Sequence, residues 1–191
     1  MSEGIYEVRW HARGGQGAVT ASRFLSASAS RENKHFQGFP EFGTERMGAA
    51  IQAFTRLSDT RIYTHEQVTS PNAVVVLDPT LLEVVDVTAG LMPGSPLIIN
   101  STKTPAEIKK ELPEGDYKVY TVDADTIARE EVGRVITNTA MVGALVKVTN
   151  LVNFDAVKAE LIGMFGTKFK KSVVDGNVKA LERAYEEVKG E

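Results

Sequence analysis

The sequence predicts an α/β fold: a mostly parallel, mixed sheet with helices on both faces, a Rossmann-like three-layer domain. Three observations carry that expectation. Ala73-Val74-Val75-Val76-Leu77 and Pro96-Leu97-Ile98-Ile99-Asn100 are continuous apolar runs, as strands buried on both faces require. Helix-prone stretches with N-terminal caps alternate with such runs through the second half. An early apolar run enters the glycine-rich turn Arg13-Gly14-Gly15-Gln16-Gly17-Ala18 and continues into a helix-prone stretch. The 191 residues fit a single domain, 1–191, and 42% apolar content is enough to build its core.

In chain order, Ile5 to Ala12 reads as the first strand, with Val8 and Trp10 among its β-formers. Gln16 to about Arg31 reads as a helix, with Ala21, Phe24, Leu25 and Ala29 on one face. Its small residues suit close packing on a sheet. His35 to Phe39 is a short second strand, and the Gly and Pro content from Gly38 to Thr44 reads as loop. Ala49 to Leu57 is a third strand. Ile62 to Thr64 follows as a short fourth one after the turn-forming Ser58-Asp59-Thr60.

Asp78-Pro79 ends the Ala73–Leu77 strand, and Thr80 to Val87 reads as a short helix. Thr104, Pro105 and Glu107 have the N-cap, N1 and N3 chemistry of a helix start. Tyr117 to Val122 is another strand, with Asp123 or Asp125 capping the helix after it. Asn138 is expected to cap a mostly apolar helix, Thr139 to Val148. Asp155 to Met164 and Asp175 to Lys189 read as closing helices.

Composition excludes several function classes. The net charge of −3 gives no electrostatic footprint for nucleic acid. No apolar run nears the ~20 residues of a membrane span, and Met1-Ser2-Glu3-Gly4 has no signal-peptide character, so the expectation is a cytoplasmic protein. There is no cysteine, hence no disulfide, cysteine nucleophile or cysteine-ligated iron–sulfur cluster on this chain. His11, His35 and His65 form no metal-binding pair by spacing. No nucleophile triad or acid–base pair stands out, so no catalytic residue and no metal ligand is assigned.

Two segments carry candidate chemistry. Gly14, Gly15, Gln16 and Gly17 precede a helix, whose free N–H groups and positive dipole end suit an anion in the turn. A dinucleotide fingerprint needs G-x-G-x-x-G/A, whereas Thr20 stands in the third place; a P-loop needs a Lys that is absent after Gly17. A ribose-binding acid is also missing from Phe36-Gln37-Gly38-Phe39, which argues against a stand-alone dinucleotide enzyme. A tight turn that only packs against a partner fits the same residues. The second segment sets Glu41, Glu45 and Arg46 among Phe39, Pro40, Phe42 and several glycines. Aromatic and Arg anchors of this kind are enriched at interfaces.

Together these segments resemble the gamma subunits of pyruvate:ferredoxin oxidoreductases (pyruvate synthases). The match runs from Gly14-Gly15-Gln16-Gly17 through Phe39-Pro40-Glu41-Phe42-Gly43-Thr44-Glu45-Arg46-Met47-Gly48-Ala49 and Asp78-Pro79-Thr80 to Asn138-Thr139-x-Met141-x-Gly143-Ala144. One departure is Met47, where pyruvate members commonly carry a second Arg. The resemblance implies a complex that converts pyruvate, coenzyme A and oxidised ferredoxin reversibly into acetyl-CoA, carbon dioxide and reduced ferredoxin. Thiamine diphosphate with magnesium and 4Fe-4S clusters would lie on alpha, beta and delta subunits, and ferredoxin would be reached through the complex. This chain would bind no cofactor alone and would be inactive alone. It would help to form the coenzyme A site, with Gly14, Gly15, Gln16, Gly17 and Asn138 as contacts. Phe42, Glu45 and Arg46 would sit in an interface or coenzyme A loop.

Overall fold

A computed structural model describes residues 4–41 and 47–191. Its centre is a seven-stranded sheet in the order β2-β3-β1-β4-β5-β6-β7. Strand β1 spans Ile5–Arg13, β4 Ala73–Val76, β5 Ser95–Asn100 and β6 Tyr117–Val122. These four run parallel. Strands β2 (His35–Pro40), β3 (Ala50–Ser58) and β7 (Lys189–Gly190) join antiparallel at the two sides.

The period-two alternation of β1 divides the molecule. Val8, Trp10 and Ala12 point into the larger core, where they meet α1 (Ala18–Ser30), α4 (Asn138–Thr149), α5 (Phe154–Gly166) and α6 (Lys171–Glu187). The helix α3 (Ala124–Val132) closes the same side. Trp10 is fully buried, and its indole N–H reaches Thr55 Oγ1 at 3.1 Å, so the ring enters the core with no polar atom stranded. The opposite face is thinner. A 3₁₀ turn at Pro79–Glu83 and the short α2 (Pro105–Lys109) cover Val74, Val76, Leu97 and Ile99 there. Helices therefore lie on both faces, but unequally.

The small residues of α1 do what the sequence suggests. Ser22 Oγ donates to Phe54 O at 2.8 Å, and Ser26 Oγ to Gln37 O at 3.0 Å. The helix lies so near β2 that a Cβ on Gly38 would come within 3.0 Å of Ser22 O.

Several boundaries differ from expectation. Ile62–Thr64 forms no strand: Gln37 Nε2 holds Thr64 O at 3.1 Å and Arg56 holds Glu66 O, so side chains rather than a ladder satisfy this backbone. Gly38-Phe39-Pro40 belongs to β2 rather than to a loop, and Pro40 is tolerated because β2 is an edge strand. Thr80–Val87 is a 3₁₀ turn ending at Glu83, where β-branched Val84 and Val85 follow. The last helix begins at Lys171, four residues before Asp175. Of the two candidate caps for α3, Asp123 is the one used, accepting from Thr126 N–H at 3.0 Å.

Candidate functional site

Crossovers on the two sides of the sheet part company between β1 and β4. The chain leaving β1 turns to α1 on the larger core, and the chain leaving β4 turns to the 3₁₀ segment on the other face. In open α/β sheets the crevice outside such a switch point is where ligands bind. The glycine turn occupies that position. Gly14 N–H donates to Ala49 O at 2.8 Å, and Gly14 O accepts from Gly48 N–H at 3.1 Å. Gly15 and Gly17 have φ of +98° and +86°, a left-handed region that a side chain disfavours.

The crevice itself is closed by this chain's own side chains. Gln16 Oε1 accepts from Arg13 N–H at 2.7 Å, and Gln16 Nε2 donates to Asp78 Oδ2 at 2.6 Å, which ties β1 to β4. Asp78 Oδ1 accepts from Thr80 N–H and Thr80 Oγ1 at 3.0 and 2.7 Å. The Arg13 guanidinium reaches Thr80 Oγ1 at 2.8 Å, Gly48 O at 3.2 Å and Asp78 Oδ2 at 3.4 Å. Burial works to raise the Asp78 pKa; hydrogen bonds from Thr80 and Gln16, with the Arg13 charge, outweigh it and hold the carboxyl below its ordinary range. Gln16 is thus a strut. Arg13, Asp78 and Thr80, which sequence reasoning did not place in the site, are its partners.

Beneath, on the polar face of β1, lies a second network. Arg9 is 5% exposed; its Nε donates to His11 Nε2 at 3.0 Å and its Nη2 to Val87 O and Ala89 O at 3.0 and 2.7 Å. Burial, then the Arg9 charge, pushes His11 down to about 3, so this imidazole is neutral at ordinary pH. It accepts a hydrogen bond and holds an arginine in place.

The other flank of the turn meets α4. Asn138 of α4 packs against Gly17 so closely that a Cβ there would stand 2.7 Å from Asn138 Nδ2. The structure thereby brings together Gly17 and Asn138, which are far apart in sequence. Asn138 is not the N-cap as expected: Thr137 is, and Asn138 is the first helical residue. Its Oδ1 still serves the helix end, accepting from Thr139 N–H at 2.9 Å. Its Nδ2 has no hydrogen-bond partner among the described residues. Every described side-chain polar atom shut off from solvent has a partner, so this one faces open space. Asn138 also lines a cleft of about 320 Å³, together with Thr20, Val132, Arg134, Ile136, Met164, Phe165, Lys168, Phe169, Val173 and Asn177.

Glu41 begins the charged loop and accepts from Gln67 Nε2 at 2.6 Å. Phe42, Glu45 and Arg46 lie outside the described residues. No group of acidic or histidine side chains arranged to hold a metal ion occurs among the described residues. Nor, among them, is any helix long and apolar enough to cross a membrane.

Fold and site together define a cysteine-free α/β domain whose glycine turn is braced at the carboxyl end of its sheet and packed against Asn138 of α4. The chain belongs to the pyruvate ferredoxin/flavodoxin oxidoreductase family, which it matches over residues 7–187. It is 45% identical over 182 residues to a protein of Thermococcus litoralis named pyruvate/ketoisovalerate oxidoreductases common subunit gamma, covering 95% of this chain and 96% of that one. It is 43% identical over 189 residues to pyruvate synthase subunit PorC of Thermotoga maritima, covering 99% and 97%. The crystal structure of the Thermotoga maritima pyruvate oxidoreductase subunit PORC superposes with a TM-score of 0.87 at 40% identity, covering 98% of this chain and 99% of that one.

Proposed function

We propose that this chain is the gamma subunit of a pyruvate synthase, the complex that joins pyruvate and coenzyme A to ferredoxin reduction. Full-length identity of 43–45% to proteins named as gamma or PorC subunits carries the reading. The absence of cysteine fits a division of labour in which alpha, beta and delta subunits hold thiamine diphosphate, magnesium and 4Fe-4S clusters. This chain would supply assembly surface and one wall of the coenzyme A site. Gly17 packed against Asn138, which lines a neighbouring cleft, supports that wall. Gln16 and the switch-point residues support it from behind. Phe42, Glu45 and Arg46 remain candidates for the interface or coenzyme A loop.

A second reading concerns substrate range. The Thermococcus litoralis relative is named as a subunit common to pyruvate and ketoisovalerate oxidoreductases. This gamma chain would then serve more than one 2-oxoacid, which suits a subunit that does not touch the reacting carbon.

Reconstitution tests both. Affinity-tagged chain should co-purify with three partner chains, and coenzyme A-dependent reduction of an electron acceptor by pyruvate should require it. Copurification without pyruvate activity, but with activity on a branched 2-oxoacid, would change the substrate assignment. Failure to retain any partner would overturn the subunit reading.

A further inference from the structure

Two surface helices of this molecule are built differently. α3 is amphipathic in the ordinary way: Ala124, Ile127 and Ala128 are buried, while Arg129 and Glu130 face solvent. α5 has no such division. Of its 13 residues only Asp155, Lys158 and Glu160 are polar, and no polar side chain follows Glu160. Yet only Val157 and Leu161 are buried. A helix that is apolar all round belongs in an interior. In this chain its outward side is uncovered.

That side forms a groove with α6, which follows after the short connection 167–170. The groove measures about 580 Å³, and Ile162, Phe169, Val174 and Val178 give it an apolar surface. Ile162 is 47% exposed and Phe169 50%. Phe165 meets the Phe169 ring edge-on at 5.3 Å, so this wall of the groove is held in place. Contiguous apolar surface left open in this way marks contact with another macromolecule.

The charges along the groove say what kind. The two acids that line it are already taken, Asp175 by Lys171 at 2.8 Å and Glu182 by Lys158. Lys179 in the groove, and Lys170 exposed at the start of α6, form no ion pair among the described residues. A chain of net charge −3 thus presents a surplus of positive charge beside this apolar surface. Complementary charge on the partner is negative. The groove follows residues 158–166 of α5 and 171–182 of α6, about 12–17 Å at 1.5 Å per residue. That length takes about two to three turns of a docked helix, whose anchors recur at i, i+3 or i+4, and i+7.

We propose that the α5–α6 groove is the docking site for an acidic amphipathic helix of another subunit of the complex. Apolar anchors of that helix seat against Ile162, Phe169 and Val178, and Asp or Glu beside them meets Lys170 and Lys179. This surface rests on the subunit role proposed above and gives that role a place and a partner chemistry. It uses no residue of the glycine turn.

The test uses the assembled complex. The chain has no cysteine, so Ile162→Cys gives it one addressable thiol. Maleimide labelling of that thiol, read on this chain by mass, should slow about tenfold or more between the isolated full-length chain and the complex. Carbodiimide joins an amine to a carboxylate in contact with it. It should couple Lys170 or Lys179 to Asp or Glu within a helical segment of another subunit. Lys170→Glu combined with Lys179→Glu should abolish that coupling and weaken retention of the coupled subunit by about tenfold to a hundredfold. Melting of the isolated double variant should be nearly unchanged, since both side chains are exposed and unpaired among the described residues. Unslowed labelling of Ile162→Cys in a complex that holds all its subunits overturns the groove assignment alone. Protection that appears in the isolated chain as its concentration rises would make the occupant a second copy and overturn the partner helix. Undiminished retention after charge reversal, or no coupling to a helical acid, overturns the acidic partner. A chain that retains no partner at all overturns the subunit reading, and this site with it.

Discussion

The two flanks of the glycine turn start from the same four residues and meet opposite electrostatic fates. Toward β4, each charge has a partner: Arg13, Gln16, Asp78 and Thr80 are joined to one another by hydrogen bonds and an ion pair. Toward α4, Gly17 packs on Asn138, beside a cleft in which three helix starts and two cations converge with no carboxylate among the lining residues. A network of bonded partners rigidifies a turn. The glycine turn therefore joins a structural strut to a packed contact, and substitutions on the two flanks should fail in different ways.

The largest effect is expected where the flanks meet. Gly17→Val combines a φ of +86° with a Cβ 2.7 Å from Asn138 Nδ2. Strain of about 1–3 kcal/mol and a similar overpacking term should lower stability by about 2–6 kcal/mol. Gly15→Ala shares the positive φ but among the described residues meets only Met47 Sδ, at 3.4 Å, so strain should dominate, about 1–3 kcal/mol. Denaturant melts of both variants check this; equal losses would show that the contact with Asn138 is soft.

Next comes the strut. Gln16→Ala leaves Arg13 N–H and Asp78 without their bridging partner and should cost about 1–3 kcal/mol. Denaturant melts check this as well; an unchanged midpoint would mean that the bridge adds nothing to stability.

Capping gives a smaller and signed contrast. Asp123→Ala removes an N-cap that is in use and should destabilise by about 0.5–2 kcal/mol. Lys170→Asp supplies a cap and an acid to a helix start that has neither, and should stabilise by about 0.5–1 kcal/mol. If Lys170→Asp destabilises, the start of α6 is already satisfied and the contrast with α3 is lost.

The smallest effect is in pH. The carboxyl of Asp78 is held below its unfolded value, so the folded state releases its proton more readily. Its contribution to stability is present above the ordinary carboxylate range and fades as pH falls through the lowered folded value. Stability measured downward from pH 5 should decline less steeply in Gln16→Ala, which loses one of the bonds that lower Asp78. Unchanged steepness would place the acid sensitivity elsewhere.

Much of this architecture was legible in the chain because it rests on local chemistry. Val74 to Val76 and Leu97 to Ile99 are apolar on both faces, and only a doubly covered strand accepts that pattern. Thr104-Pro105-x-Glu107 closes its capping box within four residues, so no distant partner is needed. Ile62–Thr64 misled because its β-forming residues are held by Gln37 and Arg56, an outcome that propensity does not encode. Asn138 was singled out, yet its position one residue inside the helix depends on backbone geometry.

By itself the sequence determined the alternation of strands and helices, the glycine turn after β1, the absence of thiol chemistry and the family resemblance. Each of these is written in adjacent residues or in residue counts. Tertiary structure alone decided what the turn does. Gly17 and Asn138 lie 121 positions apart, and Thr20, Arg134 and Lys168 come from three separate segments. Whether a helix start is answered by a carboxylate or left positive is a matter of which side chains the fold brings within a few ångströms. Electrostatics and hydrogen bonds fall off over that distance in space, with no regard for distance along the chain.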